Sequence, residues 1–346
     1  MSEDTGLGRG AVATIGRLAR FTRARYEPHY LLYAVLFTLA VEGTAALVSD
    51  PAAPWRPGGA TVVRGAVVAI VLLYLRMVDE QKDLDYDREH HPDRPLVTGA
   101  VSAGELRAGM GLIAVAAIAG SLALSVRSAV MIAAALGYGL ALWGVERLSA
   151  TVREAILVNL AVTYPVQLII MGYLVVSAID TGQVESGWAA AAVAVVFAGA
   201  FLQFEFARKT VREPRPGEMF YSNVLGATGS AVSAVLWAVV AVGGELLLVR
   251  PWDYPMPRAF LAWIPLALLI FPLAAAAGFV WNGLSQRPTS RPPDIGGPAD
   301  ATDRLDVAQS SRRGATPPRE RYPSAPAVIF VLTLYATLVA QALLLP

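Results

Sequence analysis

No cysteine occurs among the 346 residues, histidine occurs three times and lysine twice. The first absence excludes disulfides, thiolate nucleophiles and cysteine-held metals. His29, His90 and His91 are too few and too badly spaced for a histidine metal cage. Charge is scarce as well: 16% of residues are charged, against about 25% in a typical soluble domain. The net charge of +1 provides no basic surplus for nucleic acid, so no such partner is expected, and no protein partner is evident. The N-terminal segment lacks the short apolar core and small-residue cleavage site of a signal peptide, and reads as a retained cytoplasmic arm.

What the chain does have is apolar residues in long runs, 55% of the total. A membrane span needs roughly 20 mainly apolar residues. Nine candidates fall near 30–48, 60–78, 107–125, 128–146, 154–178, 186–204, 224–249, 258–282 and 326–345. The third and fourth are close enough to form a tight helical hairpin around Arg127. Pro165, Pro265 and Pro272 lie inside spans, where kinks are tolerated if neighbours satisfy the freed carbonyls. Of the 28 Lys and Arg residues, 23 lie in the N-terminal arm and after the even-numbered spans. This bias places the N-terminus and even loops in the cytoplasm and the C-terminus outside. Arg64 and Arg76 sit near the ends of span two, where snorkelling can relieve them. The expected organisation is a cytoplasmic arm over 1–28, eight helices within 29–282, a disordered cytoplasmic loop over 283–324 and a ninth helix over 325–346. The loop is rich in Pro, Arg, Ser and Gly and reads as a solvated linker. Lipid bilayer is therefore an obligatory partner, and a bacterial plasma membrane is the expected location.

Span two runs into MVDEQKDLDYDREHHPDRPL. Asp79, Asp83 and Asp87 recur every four residues and share one face of a helix, with Glu80 alongside. Carboxylates at a membrane boundary are costly and tend to be functional. A hard divalent cation relieves their repulsion, and Mg2+ takes oxygen ligands while keeping waters that a phosphate can replace. Lys82, Arg88 and Arg94 add cations suited to phosphate oxygens. Pro92 and Pro95 end the helix. From spacing alone, a solvated acidic–basic loop stands equally open.

The segment DEQKDLDYDREHHPDRPLVTG resembles the first aspartate-rich motif of the UbiA superfamily of intramembrane prenyltransferases. That motif reads N-D-x-x-D-x-x-x-D, then a basic residue, an R-P and a downstream Gly. Asp79 takes the Asn position, and Glu80, Asp83 and Asp87 take the three Asp positions. Arg94 and Pro95 match the trailing R-P, and Gly99 matches the downstream Gly. The first two positions depart from the pattern but remain oxygen ligands. The resemblance implies an all-α membrane protein of nine transmembrane helices in a UbiA-like bundle around a central cavity. It also implies Mg2+ at Asp79, Glu80, Asp83 and Asp87, and a prenyl diphosphate substrate.

The same resemblance implies a second acidic motif, D-x-x-x-D, after span six, with site segments over 79–99 and 205–222. Here Glu205 fits the first position and Lys209 stands at the second. Two readings coexist: a Glu205–Lys209 pair stabilising a helix end, or Lys209 and Arg208 contacting the diphosphate, with Arg212 one turn further on. Arg25 precedes span one, where relatives often offer a basic residue. In YGLALWGVER, Glu146 replaces a lysine of the family and Arg147 remains. Asn159 lies one turn into span five. Arg25, Arg147 and Asn159 are diphosphate-binding candidates, each equally consistent with interface anchoring. Tyr164, Tyr173, Phe201, Phe204, Tyr221 and Trp237 are candidates for lining an apolar cavity.

By resemblance, the chain is expected to ionise an allylic prenyl diphosphate and pass the prenyl group to a small, aromatic or other, acceptor. In the alternative the cation is attacked by a double bond of its own chain, as in UbiA-type terpene cyclases. A non-catalytic transporter is the remaining reading.

Overall fold

The computed structural model describes residues 4–214, 218–285 and 321–346. Most of the expected 283–324 loop lies outside the described residues. The described chain is all-α, with one isolated bridge between Val211 and Arg321. Its helices, in order, are α1 (Asp4–Arg25), α2 (Pro28–Ser49), α3 (Gly59–Lys82), α4 (Leu84–His90), α5 (Ala103–Leu122), α6 (Val126–Leu148) and α7 (Ala150–Glu154). There follow α8 (Ile156–Thr163), α9 (Pro165–Asp180), α10 (Trp188–Arg208), α11 (Ser222–Val249), α12 (Arg258–Leu268), α13 (Ile270–Ser285) and α14 (Ser324–Leu344). Nine stretches among the described residues are helical, long and apolar enough to cross a membrane. Each coincides with an expected span, so the chain is an integral multi-span membrane protein.

Local chemistry sets the helix ends. Ser102 and Glu105 form a reciprocal capping box at the start of α5, which satisfies two otherwise orphaned donors. Ser125 caps α6 through the Ser128 amide, and only residues 123–125 separate α5 from α6, giving the tight hairpin. Pro165 falls where α8 passes into α9, at the first position of the second segment. There its missing N–H costs nothing in hydrogen bonding. Pro265 is accommodated inside α12. Gly226 interrupts α11 with φ of 69°, a conformation that only glycine adopts without strain.

The described residues form two compact units, within Met1–Ala198, Ala241–Ala267 and Leu332–Pro346, and within Gly199–Val240 and Leu268–Val331. In the first unit α3 packs against α2, α5, α6 and α9, and α1 lies along α5. Small residues fill these contacts: Ala34, Ala40, Ala45, Ala117, Ala135 and Ala178 are buried. Larger residues such as Val62, Leu112, Val115 and Leu247 point outward. Helices in lipid gain little from hiding apolar surface and instead associate through close packing of small residues. At Gly43 an added Cβ would lie 2.9 Å from Cβ of Ala342, so that contact has no room for a side chain.

Arg64 corrects the sequence expectation. It does not snorkel: its side chain is wholly buried. Nε donates to Oε2 of Glu42 at 2.8 Å, and Nη1 donates to Oγ1 of Thr181 at 2.9 Å and to the Ser177 carbonyl at 3.2 Å. Gln183 accepts from Nη2. Glu42 also accepts from Thr61 at 2.7 Å and from the Trp55 indole at 3.1 Å. A charge in the membrane avoids a long reach to water when a countercharge and enough hydrogen-bonding groups surround it.

Candidate active site

Helical hydrogen bonding continues from α3 into α4. The amide of Asp83 donates to the Asp79 carbonyl at 2.9 Å, that of Asp87 to Asp83 at 2.8 Å and that of His91 to Asp87 at 2.8 Å. Asp79, Asp83 and Asp87 therefore stand on consecutive turns. After His91 the chain leaves the helix, and Gly99, with φ of 74°, makes the turn before Ser102 that leads into α5.

The three aspartates differ in surroundings. Asp79 is half-exposed and lies 3.6 Å from Nζ of Lys82. The Asp83 side chain makes neither a hydrogen bond nor an ion pair among the described residues. Burial pushes its carboxyl up to about 6, the charges of Asp79, Asp87 and Glu146 add to the rise, and Lys82 opposes it. Asp87 is buried; its Oδ2 accepts from Nη1 of Arg94, and its Oδ1 has no partner.

Glu80 lies apart from this line in its bonding. Its Oε1 accepts from Nε of Arg25 at 2.6 Å and lies 3.1 Å from Nη2 of Arg76. One buried carboxylate thus holds two guanidinium groups. Oε2 of Glu80 and Nε of Arg76 are buried without hydrogen-bond partners. The Tyr26 hydroxyl donates to the Ala69 carbonyl at 2.7 Å, fixing the end of α1 beside α3.

Other candidates separate into those brought to this line and those left outside it. Lys82 reaches Glu146 on α6, with Nζ 3.1 Å from Oε2. Asn159 on α8 donates from Nδ2 to the same carboxylate at 3.2 Å. Arg88 is exposed and pairs with Asp85 at 2.8 Å. Arg147 is exposed. Sequence reasoning did not assign Glu146 or Arg76 to the site. Glu146 had a signal, since an acid stands where a lysine is usual; Arg76 had none beyond its charge inside a span.

In the second unit Glu205, at the end of α10, is buried. Its Oε2 accepts from Nε of Arg208 at 2.6 Å, and its Oε1 lies 2.9 Å from Nζ of Lys209 and accepts from the Tyr221 hydroxyl at 3.3 Å. The i,i+4 pair expected from spacing is present. Tyr221 stacks on Phe206 with centroids 4.2 Å apart. Burial, with the Glu205 charge adding to it, pushes its phenol up. Arg212 instead donates to the Phe279 carbonyl at 2.6 Å and lies over the Phe279 ring.

The donor chemistry around Asp83 suits a hard cation, because it consists of carboxylate oxygens and one oxygen of buried Asp87 has no partner. Among the described residues no three His, Cys, Asp or Glu side chains form a ready metal cage. An ion there would rely on water or a substrate phosphate to complete its shell, which is the habit of Mg2+.

Among the described residues, nine apolar helices, a line of carboxylates and cations at helix ends define a membrane-embedded helical protein with a charged site. The fold is that of a solved UbiA homolog from Aeropyrum pernix K1, which is 17% identical, with a TM-score of 0.50 over 73% of this chain and 90% of that one. A structure described as digeranylgeranylglyceryl phosphate synthase is 12% identical, with a TM-score of 0.49 over 95% of this chain and 99% of that one. No family model matches the sequence, and no curated protein matches it.

Proposed function

We infer that the chain is a Mg2+-dependent membrane enzyme that ionises an allylic prenyl diphosphate and transfers the prenyl group to a small acceptor, with its N-terminus and site on the cytoplasmic side. The observation that carries this reading is the line of Asp79, Asp83 and Asp87 on consecutive turns, with Lys82 and Arg94 bonded to it. Carboxylates suit the cation, and the basic groups suit phosphate oxygens. The fold shared with a UbiA homolog supports the same class.

Bound Mg2+ would stabilise charge developing on the leaving diphosphate. Asp79, Asp83 and Asp87 would hold it, with water or substrate oxygens completing the shell. Glu80 serves instead to hold Arg25 and Arg76, whose two charges exceed its one and leave a guanidinium surplus for an anion. Asp87 orients Arg94 in the same way. Fixed donors of this kind need no reorganisation as negative charge develops, which is where electrostatic catalysis gains most. Apolar helix faces accept the prenyl tail and exclude the water that would otherwise quench an allylic cation.

One observation favours a second reading. Both oxygens of Glu205 are engaged by Arg208, Lys209 and Tyr221, so this acid offers no open ligand set for a second ion. A terpene cyclase, in which no external acceptor is needed, is consistent with that departure. The test is full-length protein in detergent or liposomes with Mg2+ and C10, C15 or C20 prenyl diphosphates. Diphosphate release only with an added acceptor supports the transferase. A cyclic hydrocarbon or alcohol formed without an acceptor supports the cyclase. No release at any chain length overturns both.

A further inference from the structure

Lys82 is one of two lysines in the chain, and it is placed among acids from two helices. Its Nζ lies 3.1 Å and 3.3 Å from the two oxygens of Glu146 on α6 and 3.6 Å from Asp79 on α3. Glu146 is buried, and its Oε1 also accepts from Nδ2 of Asn159 at 3.2 Å. Asp83 and Asp87 follow Asp79 on the next two helical turns. The ammonium is thus the counter-ion of a carboxylate group drawn from α3, α4 and α6. Four carboxylates, from Asp79, Asp83, Asp87 and Glu146, are offset by two cations, Lys82 and the Arg94 that pairs with Asp87. Two negative charges remain, the charge of one divalent ion. The partnerless Oδ1 of buried Asp87 belongs to this remainder.

We propose that Lys82 is a built-in cation that occupies the Asp79–Glu146 side of the carboxylate group and limits it to a single divalent ion. This rests on the reading of Asp79, Asp83 and Asp87 as ion ligands. An ammonium on a four-carbon stem is a compact point charge, and it can take the place of a metal between oxygens without a hydration shell to remove. It is a positioning residue: it shapes the site without touching the reacting atoms. Removing it leaves Asp79 and Glu146 facing each other, with three uncompensated negative charges in the group. A second divalent ion is the simplest way to offset them.

The test is Mn2+ titration of the detergent-solubilised full-length protein, monitoring the loss of the free-ion EPR signal. Wild type is expected to bind one ion per chain. Lys82→Met is expected to bind two, or one at least ten-fold more tightly. Lys82→Arg keeps the wild-type stoichiometry, and so does the exchange Lys82→Glu with Glu146→Lys. Glu146→Gln leaves the ammonium in place, removes one acid, and weakens Mn2+ binding about ten-fold. Thermal unfolding confirms that each variant is folded, and the Glu146→Gln and exchanged variants decide the matter where Lys82→Met is not. Unchanged number and affinity in folded Lys82→Met overturns the proposal, as does an absence of binding in every form. Binding in Lys82→Met alone supports the built-in cation and removes the divalent ion from the catalytic reading. A wild type that binds one Mn2+ but releases no diphosphate overturns the catalytic reading alone, and the stoichiometry of the variants still judges Lys82.

Discussion

Arg64 donates to Glu42 across 2.8 Å with both side chains wholly buried, and the pair ties α3 to α2. Removing one partner leaves the other charge without compensation, and breaking a buried pair costs about 3–5 kcal/mol. Glu42→Ala is therefore expected to lower the thermal unfolding midpoint in detergent sharply. The double change Glu42→Leu with Arg64→Met is expected to lose much less. Equal losses in the two would show that packing, and not the stranded charge, sets the cost.

Asp83 makes stability depend on pH. Its carboxyl is pushed up to about 6 in the folded chain, above its ordinary value, so the folded state takes up a proton before the unfolded state does. Stability is then lowest above pH 6 and rises as pH falls through 6 towards the ordinary carboxylate range. In the absence of divalent ions, the unfolding midpoint of wild type is expected to increase between pH 7 and pH 5. Asp83→Asn is expected to show a smaller increase, and parallel pH curves for the two proteins would contradict the assignment. At pH 7, added Mg2+ is expected to raise the wild-type midpoint, because an ion that binds only the folded state stabilises it.

Asp87 and Arg94 are bonded to each other, yet their removal should read out differently. Asp87→Ala takes away an ion ligand and leaves Arg94 unpaired; diphosphate release should fall by about 100-fold or more, the scale of losing a fixed electrostatic group. Arg94→Ala leaves the ion ligands in place and should mainly weaken substrate binding. Steady-state kinetics on the same prenyl diphosphate separates a loss in kcat from a rise in KM. Full activity in Asp87→Ala would remove it from the site.

Gly226 offers a test of backbone origin. With φ of 69° and ψ of 166°, a region open essentially to glycine alone, any side chain there incurs roughly 1–3 kcal/mol of backbone strain. Nothing lies within 4 Å of an added Cβ, so Gly226→Ala has no steric clash to confuse the result. A lower unfolding midpoint is expected. An unchanged midpoint would mean that α11 straightens at little cost.

The helices were legible because the bilayer imposes one requirement, a long apolar run, and nine stretches meet it. The order Asp79, Asp83, Asp87 was legible for the same kind of reason, since four-residue spacing on a helix fixes a shared face. The Glu205–Lys209 pair obeys the same rule. What spacing could not supply was contact between distant helices. Lys82 with Glu146 spans 64 positions, Arg25 with Glu80 spans 55, and Arg64 with Thr181 spans 117. Each depends on which faces of α3 meet α1, α6 and α9, and near-uniform apolar helices carry little record of that. Snorkelling of Arg64 was the natural reading of a cation near a span end, because Glu42 gives no local sign that it will face it.

The brace at Arg64 has a mechanical consequence for the same helix. It fixes one end of α3 to α2 and α9, while the aspartates lie at the other end. From Arg64 to Asp83 is 19 residues, or about 28 Å of helix at the usual rise per residue. A tilt of about 10° about that fixed end carries Asp83 some 5 Å, roughly the width of a phosphate group, over that length of helix. The ties at that far end, Arg25 to Glu80 and Lys82 to Glu146, therefore set the position of Asp83 as much as the brace at Arg64 does.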